Sequence, residues 1–127
     1  MKKVLSTSEA PQAIGPYSQG IEASGSVVYV SGQIPCDPVT GEVSGSDMSS
    51  QAERSLKNLG AVLDAAGISY RDVVKTTCFI TDMSEFSAFN DVYSKYFIEE
   101  PPARSCIAVH ELPKGVLCEV EALAIKR

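Results

Sequence analysis

The sequence has no tryptophan, a single histidine and four cysteines, Cys36, Cys78, Cys106 and Cys118, that never take the CxxC spacing. One histidine and scattered cysteines make a poor ligand set for zinc, and the same scatter does not indicate a disulfide scaffold. No metal site is therefore predicted. Free thiols are typical of a reducing compartment, so we expect a cytoplasmic protein, although a pairing that depends on the fold stays open.

Long apolar runs and clusters of basic residues are also missing. No apolar segment approaches the roughly 20 residues that a bilayer-spanning helix needs. The first residues, MKKVLST, lack the apolar stretch and the cleavage site of a secretory signal. The net charge is −5 and the basic residues are dispersed. The electrostatic field of such a protein repels the negatively charged phosphate backbone of a nucleic acid. We expect neither a membrane nor a nucleic acid as partner.

Motifs that hold a cofactor or activate a nucleophile are absent as well. The sequence contains no P-loop, GxGxxG, HExxH or GxSxG motif. A serine triad cannot be built around His110 without a specific partner, and a lone histidine is more often structural than catalytic. No cofactor is predicted.

The 127 residues suit one domain over residues 1–127, which can bury roughly two thirds of its unfolded surface. Hydrophobic periodicity and turn residues predict eight elements in the order β-β-β-α-β-α-β-β. The strands are predicted at residues 3–6, 18–23, 27–33 and 73–81 and around positions 104 and 119, and the helices at residues 47–66 and 86–97. This order predicts an α+β fold with two helices on one face of a mixed six-stranded sheet.

The connections between these elements can also be predicted. Residues 18–23 and 27–33 are expected to form a hairpin that turns at residues 24–26. The two strand-helix-strand connections should be parallel and right-handed. The implied strand order places the last strand inside the sheet and the strand of Arg104 at an edge, with the strand at 73–81 between them.

Both helices carry start signals. Ser50 and Glu53 resemble a capping box, although the true start can lie one turn earlier, and Gly67 supplies the stop. Asp82 and Glu85 offer a second capping box. The helix that follows carries a stripe of aromatic residues on one face. Residues in such a stripe pack into the hydrophobic core more often than they bind a cofactor. Its members are Phe86, Phe89, Tyr93, Tyr96 and Phe97.

The segment PPARSCIAVHELPKGVLCEVEALAI, residues 101–125, sets charges on two short apolar strands. Alternation places Arg104 on one face with Cys106, and Glu119 on one face with Glu121. A guanidinium can bind the carboxylate of an organic acid through two N–H groups, and small neighbouring side chains leave room for that ligand. The two glutamates lie roughly 6.5 to 7 Å apart along the strand, so partial burial would raise a proton affinity and suit proton transfer.

Structural interpretations of these residues stand beside the functional ones. Arg104 also fits a solvated edge position or one half of an ion pair. For two glutamates on one strand face, structural ion pairing or plain exposure is by itself a more common situation than catalysis. Cys106 and Cys118 are most simply small buried hydrophobic residues.

Several segments, in this order and spacing, resemble the RidA (YjgF-type) family of enamine/imine deaminases. They are IGPYSQG at 14–20, VSGQIP at 30–35, TGEV at 40–43, PARSC at 102–106 and LPKGVLCEVEALA at 112–124. The resemblance implies a chorismate-mutase-like α+β fold and a homotrimer whose three sheets form a central barrel. Because Arg104 and Glu119 lie on separated strands, the implied active sites would be shared between subunits.

The same resemblance implies an activity, and with it the roles of particular residues. The expected reaction is hydrolysis of 2-aminoacrylate with its tautomer 2-iminopropanoate, and of 2-iminobutanoate, to 2-keto acids and ammonia. Arg104 would bind the substrate carboxylate, Glu119 would activate water and Tyr17 would close the pocket. Substrate binding would also involve Cys106, Ser31, Gly32 and Asn90, with helical capping or exposure an equal interpretation of Asn90. An anchor and one acid-base group, worth roughly 10² to 10⁴-fold, suffice without a cofactor.

Two other functions are weighed against this one. The first is a trimer that senses a 2-keto acid without turnover, and the second is the ribonuclease or translation-inhibitor activity ascribed to some family members. The acidic balance and the lack of an interleaved basic and aromatic surface argue against the ribonuclease. One departure from the family is the short segment FIEEPPARS with its double proline, which puts the preferred substrate size in doubt.

Overall fold

The computed structural model describes all residues from Met1 to Arg127. Two helices and six strands follow one another as the sequence pattern predicts, in a single α+β domain. In chain order they are β1 (Lys2–Leu5), β2 (Gly20–Ala23), β3 (Ser26–Gln33), α1 (Met48–Ala65), β4 (Val73–Ile80), α2 (Phe86–Tyr96), β5 (Ala103–Ala108) and β6 (Cys118–Lys126). Neither helix combines the length and the apolar character that crossing a bilayer requires.

Four of the strands form a mixed sheet in the order β3-β6-β4-β5. β6 runs antiparallel to both of its neighbours, whereas β4 and β5 are parallel. The predictions that β6 is interior and β5 is an edge strand are therefore confirmed. The prediction of one six-stranded sheet is wrong, because β1 and β2 pair only with each other, as a separate antiparallel ribbon.

The predicted hairpin between β2 and β3 is also wrong. The turn leads from the ribbon into the main sheet, where β3 takes β6 as its partner. Gly25 lies at the turn with φ of +139°, and a Cβ there would come within 2.7 Å of the Lys126 carbonyl oxygen. The turn therefore packs against the end of β6, a contact distant in sequence that turn composition does not reveal.

α1 begins one turn before the Ser50 and Glu53 pair. Asp47 is the N-cap, and its carboxylate accepts the backbone N–H of Ser50 at 2.8 Å in a reciprocal capping box. Gly67 follows the helix with φ of +77°, as its stop signal predicts. At the start of α2 only half of the predicted capping box forms, since Asp82 accepts the Ser84 N–H at 3.0 Å while Glu85 makes no capping bond.

The core lies between the two helices and one face of the main sheet. β6 supplies the small apolar face that its alternation predicts: Cys118, Val120, Ala122 and Ala124 are all buried. The aromatic stripe also packs into the core, through Phe89 and Tyr93 of α2 and through Phe97, the residue that follows the helix. Small residues on β6 let α1 approach the sheet closely.

No helix covers the opposite face of the sheet, here called the open face. Val27 and Tyr29 of β3 lie on it, 48% and 76% exposed, and Ile107 of β5 is 45% exposed. Phe79 and Leu123, which are half-buried, share this face by alternation. A single chain thus leaves a sheet surface with large apolar side chains uncovered.

Replacing the fully buried Leu59 of α1 with alanine should lower the free energy of unfolding by about 2–5 kcal/mol, because a cavity is left under the helix. Val62 is on the same helix but 38% exposed, so Val62→Ala should cost less than about 1 kcal/mol. Urea unfolding of both variants measures the difference. Equal losses would contradict the assignment of the helix faces.

Candidate functional site

Arg104 lies on the helix-facing side of the edge strand β5. The register pairs it with Thr76 of β4, which is fully buried in the core. Its half-buried guanidinium donates from Nη1 to the Asn90 Oδ1 at 2.6 Å. Asn90, from α2, therefore contacts Arg104, and the interpretation of Asn90 as a helix cap is wrong.

Three aromatic rings surround the rest of the guanidinium. Its central carbon lies 4.7 Å from the ring centroid of Tyr93, 5.4 Å from that of Phe86 and 5.6 Å from that of Tyr17. Each distance is within the range of a cation–π interaction, worth about 0.5–2 kcal/mol. We call Tyr17, Phe86, Asn90 and Tyr93 the arginine cage.

No carboxylate neutralises Arg104 in this chain. The ion pairs of the structure join Lys57 to Glu53 and Arg127 to Asp72. A guanidinium has five N–H donors in a planar fork, and Arg104 uses one of them within the chain. The ion-pair interpretation of Arg104 is therefore wrong for the single chain, and the fork stays available for an anion.

Tyr17 reaches the cage from an irregular loop that hydrogen bonds hold in place. Its hydroxyl accepts the Ile14 N–H at 3.3 Å. The next residue, Ser18, donates its N–H to the Pro102 carbonyl at 3.1 Å and its hydroxyl to that of Pro101. The loop is thus bonded to the segment just before Arg104, which is why the two residues meet.

Glu119 belongs to a second cluster, on the open face. It is half-buried in β6 beside its ladder partner Phe79. Its carboxylate lies so close to the backbone of Gly32 that a Cβ at that position would overlap it. Ser31 precedes Gly32 and is exposed, with its carbonyl accepting from Gln33 Nε2 at 3.0 Å. Glycine at position 32 is what leaves room for the carboxylate.

The two clusters lie on opposite faces of one sheet. Arg104 shares the core face with Thr76, whereas Glu119 shares the open face with Phe79, and β4 separates their strands. The structure therefore agrees with the prediction that Arg104 and Glu119 do not meet within one chain. It brings Tyr17, Asn90 and Arg104 together, and separately Gly32 and Glu119, with Ser31 next to Gly32 in the chain.

The remaining candidates lie outside both clusters or beside them. Cys106 is half-buried on the Arg104 face and pairs with Cys78 across the strands. Burial raises the pKa of the Cys106 thiol, and the nearby Arg104 charge lowers it only in part. His110 is exposed beyond the end of β5. Glu121 is exposed on the open face, where it lines a hollow of about 430 Å³.

No three His, Cys, Asp or Glu side chains lie together where they could hold a metal ion.

Periodicity predicts Phe86 and Tyr93 as core residues and does not indicate their contact with Arg104. Tyr93 is fully buried, as predicted, and it also forms one wall of the cage. Phe86, Asn90 and Tyr93 follow one another at steps of four and three, so they share a helix face. An asparagine between aromatic residues on one helix face is the feature of the sequence that indicates a polar contact at this position.

Comparison with known proteins gives one consistent result. A family profile described as Endoribonuclease L-PSP matches residues 7–126. The chain is 48% identical to the 2-iminobutanoate/2-iminopropanoate deaminase of Salmonella typhimurium over 130 aligned positions, covering 100% of both chains. It is 48% identical to a RutC family protein of Pyrococcus horikoshii, covering 99% of each. The crystal structure of Escherichia coli TdcF with bound serine is 47% identical, with a TM-score of 0.76 and 98% and 99% of the two chains covered.

The raised pKa of Cys106 predicts slow alkylation at neutral pH. Because burial disfavours the thiolate, the pH midpoint for its reaction with iodoacetamide should lie above that of glutathione, a thiol without burial. Mass spectrometry of the native protein, alkylated between pH 7 and 10, measures the rate at this residue. A midpoint below that of glutathione would show an activated thiolate instead.

Proposed function

Because the chain belongs to the Endoribonuclease L-PSP family, which is the RidA (YjgF-type) family, we propose that it is an enamine/imine deaminase. It hydrolyses 2-iminopropanoate, formed from 2-aminoacrylate, and 2-iminobutanoate to 2-keto acids and ammonia. Relatives of 46% and 48% identity over their full length are named for this activity. The observation that carries the proposal is the guanidinium of Arg104, which is half-buried and has no acidic partner.

All substrates of this proposed class carry a carboxylate beside the C=N bond. The Arg104 fork donates two parallel N–H hydrogen bonds to the two carboxylate oxygens, a bidentate geometry that a lysine could not reproduce. Asn90 Oδ1 accepts one N–H of the fork, from Nη1, and leaves the others available. Tyr17 closes over the bound substrate with its ring and hydroxyl, and Cys106 contributes a small side chain to the floor rather than a nucleophile.

Glu119 handles the proton. It takes a proton from a water molecule as the water oxygen adds to the imine carbon, and it passes that proton to the imine nitrogen, so that the C=N double bond becomes a single bond in a neutral carbinolamine. Glu119 then takes the proton of the carbinolamine hydroxyl and delivers it to the amino group. The C–N bond breaks, ammonia leaves and the oxygen forms the C=O bond of the keto acid. Ser31 and Gly32 present backbone to the ligand beside this carboxylate. Such acid-base help is worth roughly 10² to 10⁴-fold, so no cofactor is required.

A complete site needs a second copy of the chain. The open face carries large exposed apolar side chains, and surfaces of this kind are usually covered by a partner. In our proposal three copies bury these faces around a central barrel, as in a chorismate-mutase-like trimer. Glu119 lies on the open face, which this assembly would cover, and Arg104 lies on an edge strand, so one subunit's Glu119 can face the next subunit's Arg104. We place the protein in the cytoplasm on the basis of its four free cysteines.

The two rival functions have weaker support. The family description names an endoribonuclease, but a net charge of −5 with dispersed basic residues is unfavourable for RNA. A sensor of 2-keto acids would need Arg104 but not Glu119.

One assay distinguishes the deaminase from the sensor. It generates imines from several amino acids with an oxidase and follows the release of ammonia and keto acid with and without the protein. Binding without acceleration would favour the sensor, and cleavage of labelled RNA that Arg104→Ala abolishes would favour the nuclease.

Arg104→Ala should reduce kcat/KM for the imines by about 10²-fold, because charge-assisted hydrogen bonds to the carboxylate are lost. The oligomer should persist on size-exclusion chromatography. Arg71→Ala is the matched control, since Arg71 is exposed and is not part of the cage. Full activity in the Arg104 variant would remove the carboxylate anchor from the mechanism.

Glu119→Gln should keep the side chain's shape above Gly32 and remove its ability to accept a proton. We expect kcat to fall by about 10² to 10⁴-fold, while the affinity for 2-ketobutanoate, measured by calorimetry, changes little. Glu121→Gln, two residues further along the same face, serves as the control and should stay active. An unchanged rate for Glu119→Gln would leave Glu119 with a structural role only.

A further inference from the structure

Tyr93 is the aromatic residue closest to the guanidinium of Arg104, at 4.7 Å. The proposed reaction gives it no role. Its side chain is fully buried, and burial raises the pKa of its hydroxyl far above the ordinary value. Tyr93 therefore stays neutral, and its ring attracts the cation without neutralising it.

A hydrogen bond fixes this ring from the far side. The Tyr93 hydroxyl lies 2.7 Å from Thr76 Oγ1, and both groups are buried. Thr76 is also the residue directly opposite Arg104 in the ladder between β4 and β5. Each of the three residues therefore contacts the other two. Thr76 pairs with Arg104 in the strand ladder, Thr76 and Tyr93 share a hydrogen bond, and Tyr93 makes a cation–π interaction with Arg104.

Packing holds the ring in the remaining directions. Its centroid lies 4.5 Å from that of Phe97 with an interplanar angle of 32°, and 5.9 Å from that of Phe89. A ring packed between two others and bonded through its hydroxyl cannot turn or withdraw without breaking these contacts.

A guanidinium on a flexible stem needs such support. Arg104 makes a single hydrogen bond within the chain, to Asn90. The arginine side chain loses about 2 kcal/mol of rotamer freedom when it is held in one geometry. A carboxylate could hold it, but would also occupy the fork. A fixed aromatic ring attracts the cation through its π face and accepts none of the N–H groups as a carboxylate oxygen would, so the donors of the fork stay available.

We propose that Tyr93, held by Thr76, is a positioning residue that presents the Arg104 fork to the carboxylate of the substrate. The inference rests on the proposed function, since it assigns Arg104 the carboxylate. In this proposal Tyr93 does not touch the substrate and acts only through Arg104. Removing the Tyr93 ring should therefore weaken binding of the substrate carboxylate more than it slows the chemical step.

The first test is Tyr93→Leu, which removes the ring. KM for the imines and the dissociation constant for 2-ketobutanoate should both rise by about 5- to 20-fold, in line with a lost cation–π contact. We expect kcat to change by less than about threefold. Tyr93→Phe keeps the ring but not the hydroxyl, so its KM should fall between those of the wild type and Tyr93→Leu.

Tyr70→Leu is the matched control. Tyr70 packs its ring against Phe97 at 5.6 Å, in the same aromatic cluster, but its hydroxyl donates to the Leu56 carbonyl and it is not in the arginine cage. This change should lower the unfolding temperature without raising KM. An equal rise of KM in Tyr70→Leu, or an unchanged KM in folded Tyr93→Leu, would overturn the proposal.

Thr76 provides a second test if Tyr93→Leu does not fold. Thr76→Val preserves the shape and removes the hydroxyl, so KM should rise by about two- to fivefold, and Thr76→Ser should restore it. If Thr76→Val and Tyr93→Phe both bind 2-ketobutanoate as the wild type does, the hydroxyl pair does not position Arg104 and the proposal fails.

Calorimetry with 2-ketobutanoate separates this inference from the proposed function. A wild-type protein that binds the keto acid but hydrolyses no imine would refute the deaminase and still allow the Tyr93 comparison. A wild-type protein that hydrolyses imines while Tyr93→Leu and Thr76→Val retain full affinity would refute only the positioning role. Absence of both binding and hydrolysis in the wild type would refute both.

Discussion

The candidate site depends on one constraint: the half-buried Arg104 is held in place without an Asp or Glu as ion-pair partner. Arg104 rests among three aromatic rings and one amide, and no carboxylate of its own chain is paired with it. A carboxylate partner would have stabilised the charge but closed the fork. The rings, the amide and the loop that brings Tyr17 all serve the same end, which is an arginine that is placed but not neutralised. Our functional proposal follows from that state.

The sheet separates this arginine from the other candidate group. Strand alternation puts Arg104 on the core face at the sheet edge and Glu119 on the open face, with β4 between their strands. The apolar side chains of the open face give a physical reason for self-association. In our account the same association brings Glu119 to the arginine of a neighbour. Assembly and catalysis would then depend on one surface.

Much of this arrangement could be predicted from the sequence. Alternation identified the faces of β5 and β6, and the period of α1 identified its buried side. The sheet partner of β3 could not be predicted, because its turn residues suit a hairpin equally well and the deciding contact, Gly25 against the end of β6, is distant in sequence. The contact of Tyr93 with Arg104 could not be predicted for a similar reason. A buried aromatic residue on a helix indicates core, and only the β4–β5 register shows that the core reaches the arginine.

The most direct test of the shared site mixes two inactive variants. Arg104→Ala and Glu119→Gln subunits, unfolded together and refolded, should form mixed trimers in which some sites combine an intact Arg104 with an intact Glu119. For random assembly of a symmetric trimer about a quarter of the sites are competent, so about a quarter of wild-type activity should return. Activity no higher than that of the two separate variants would contradict a site shared between subunits.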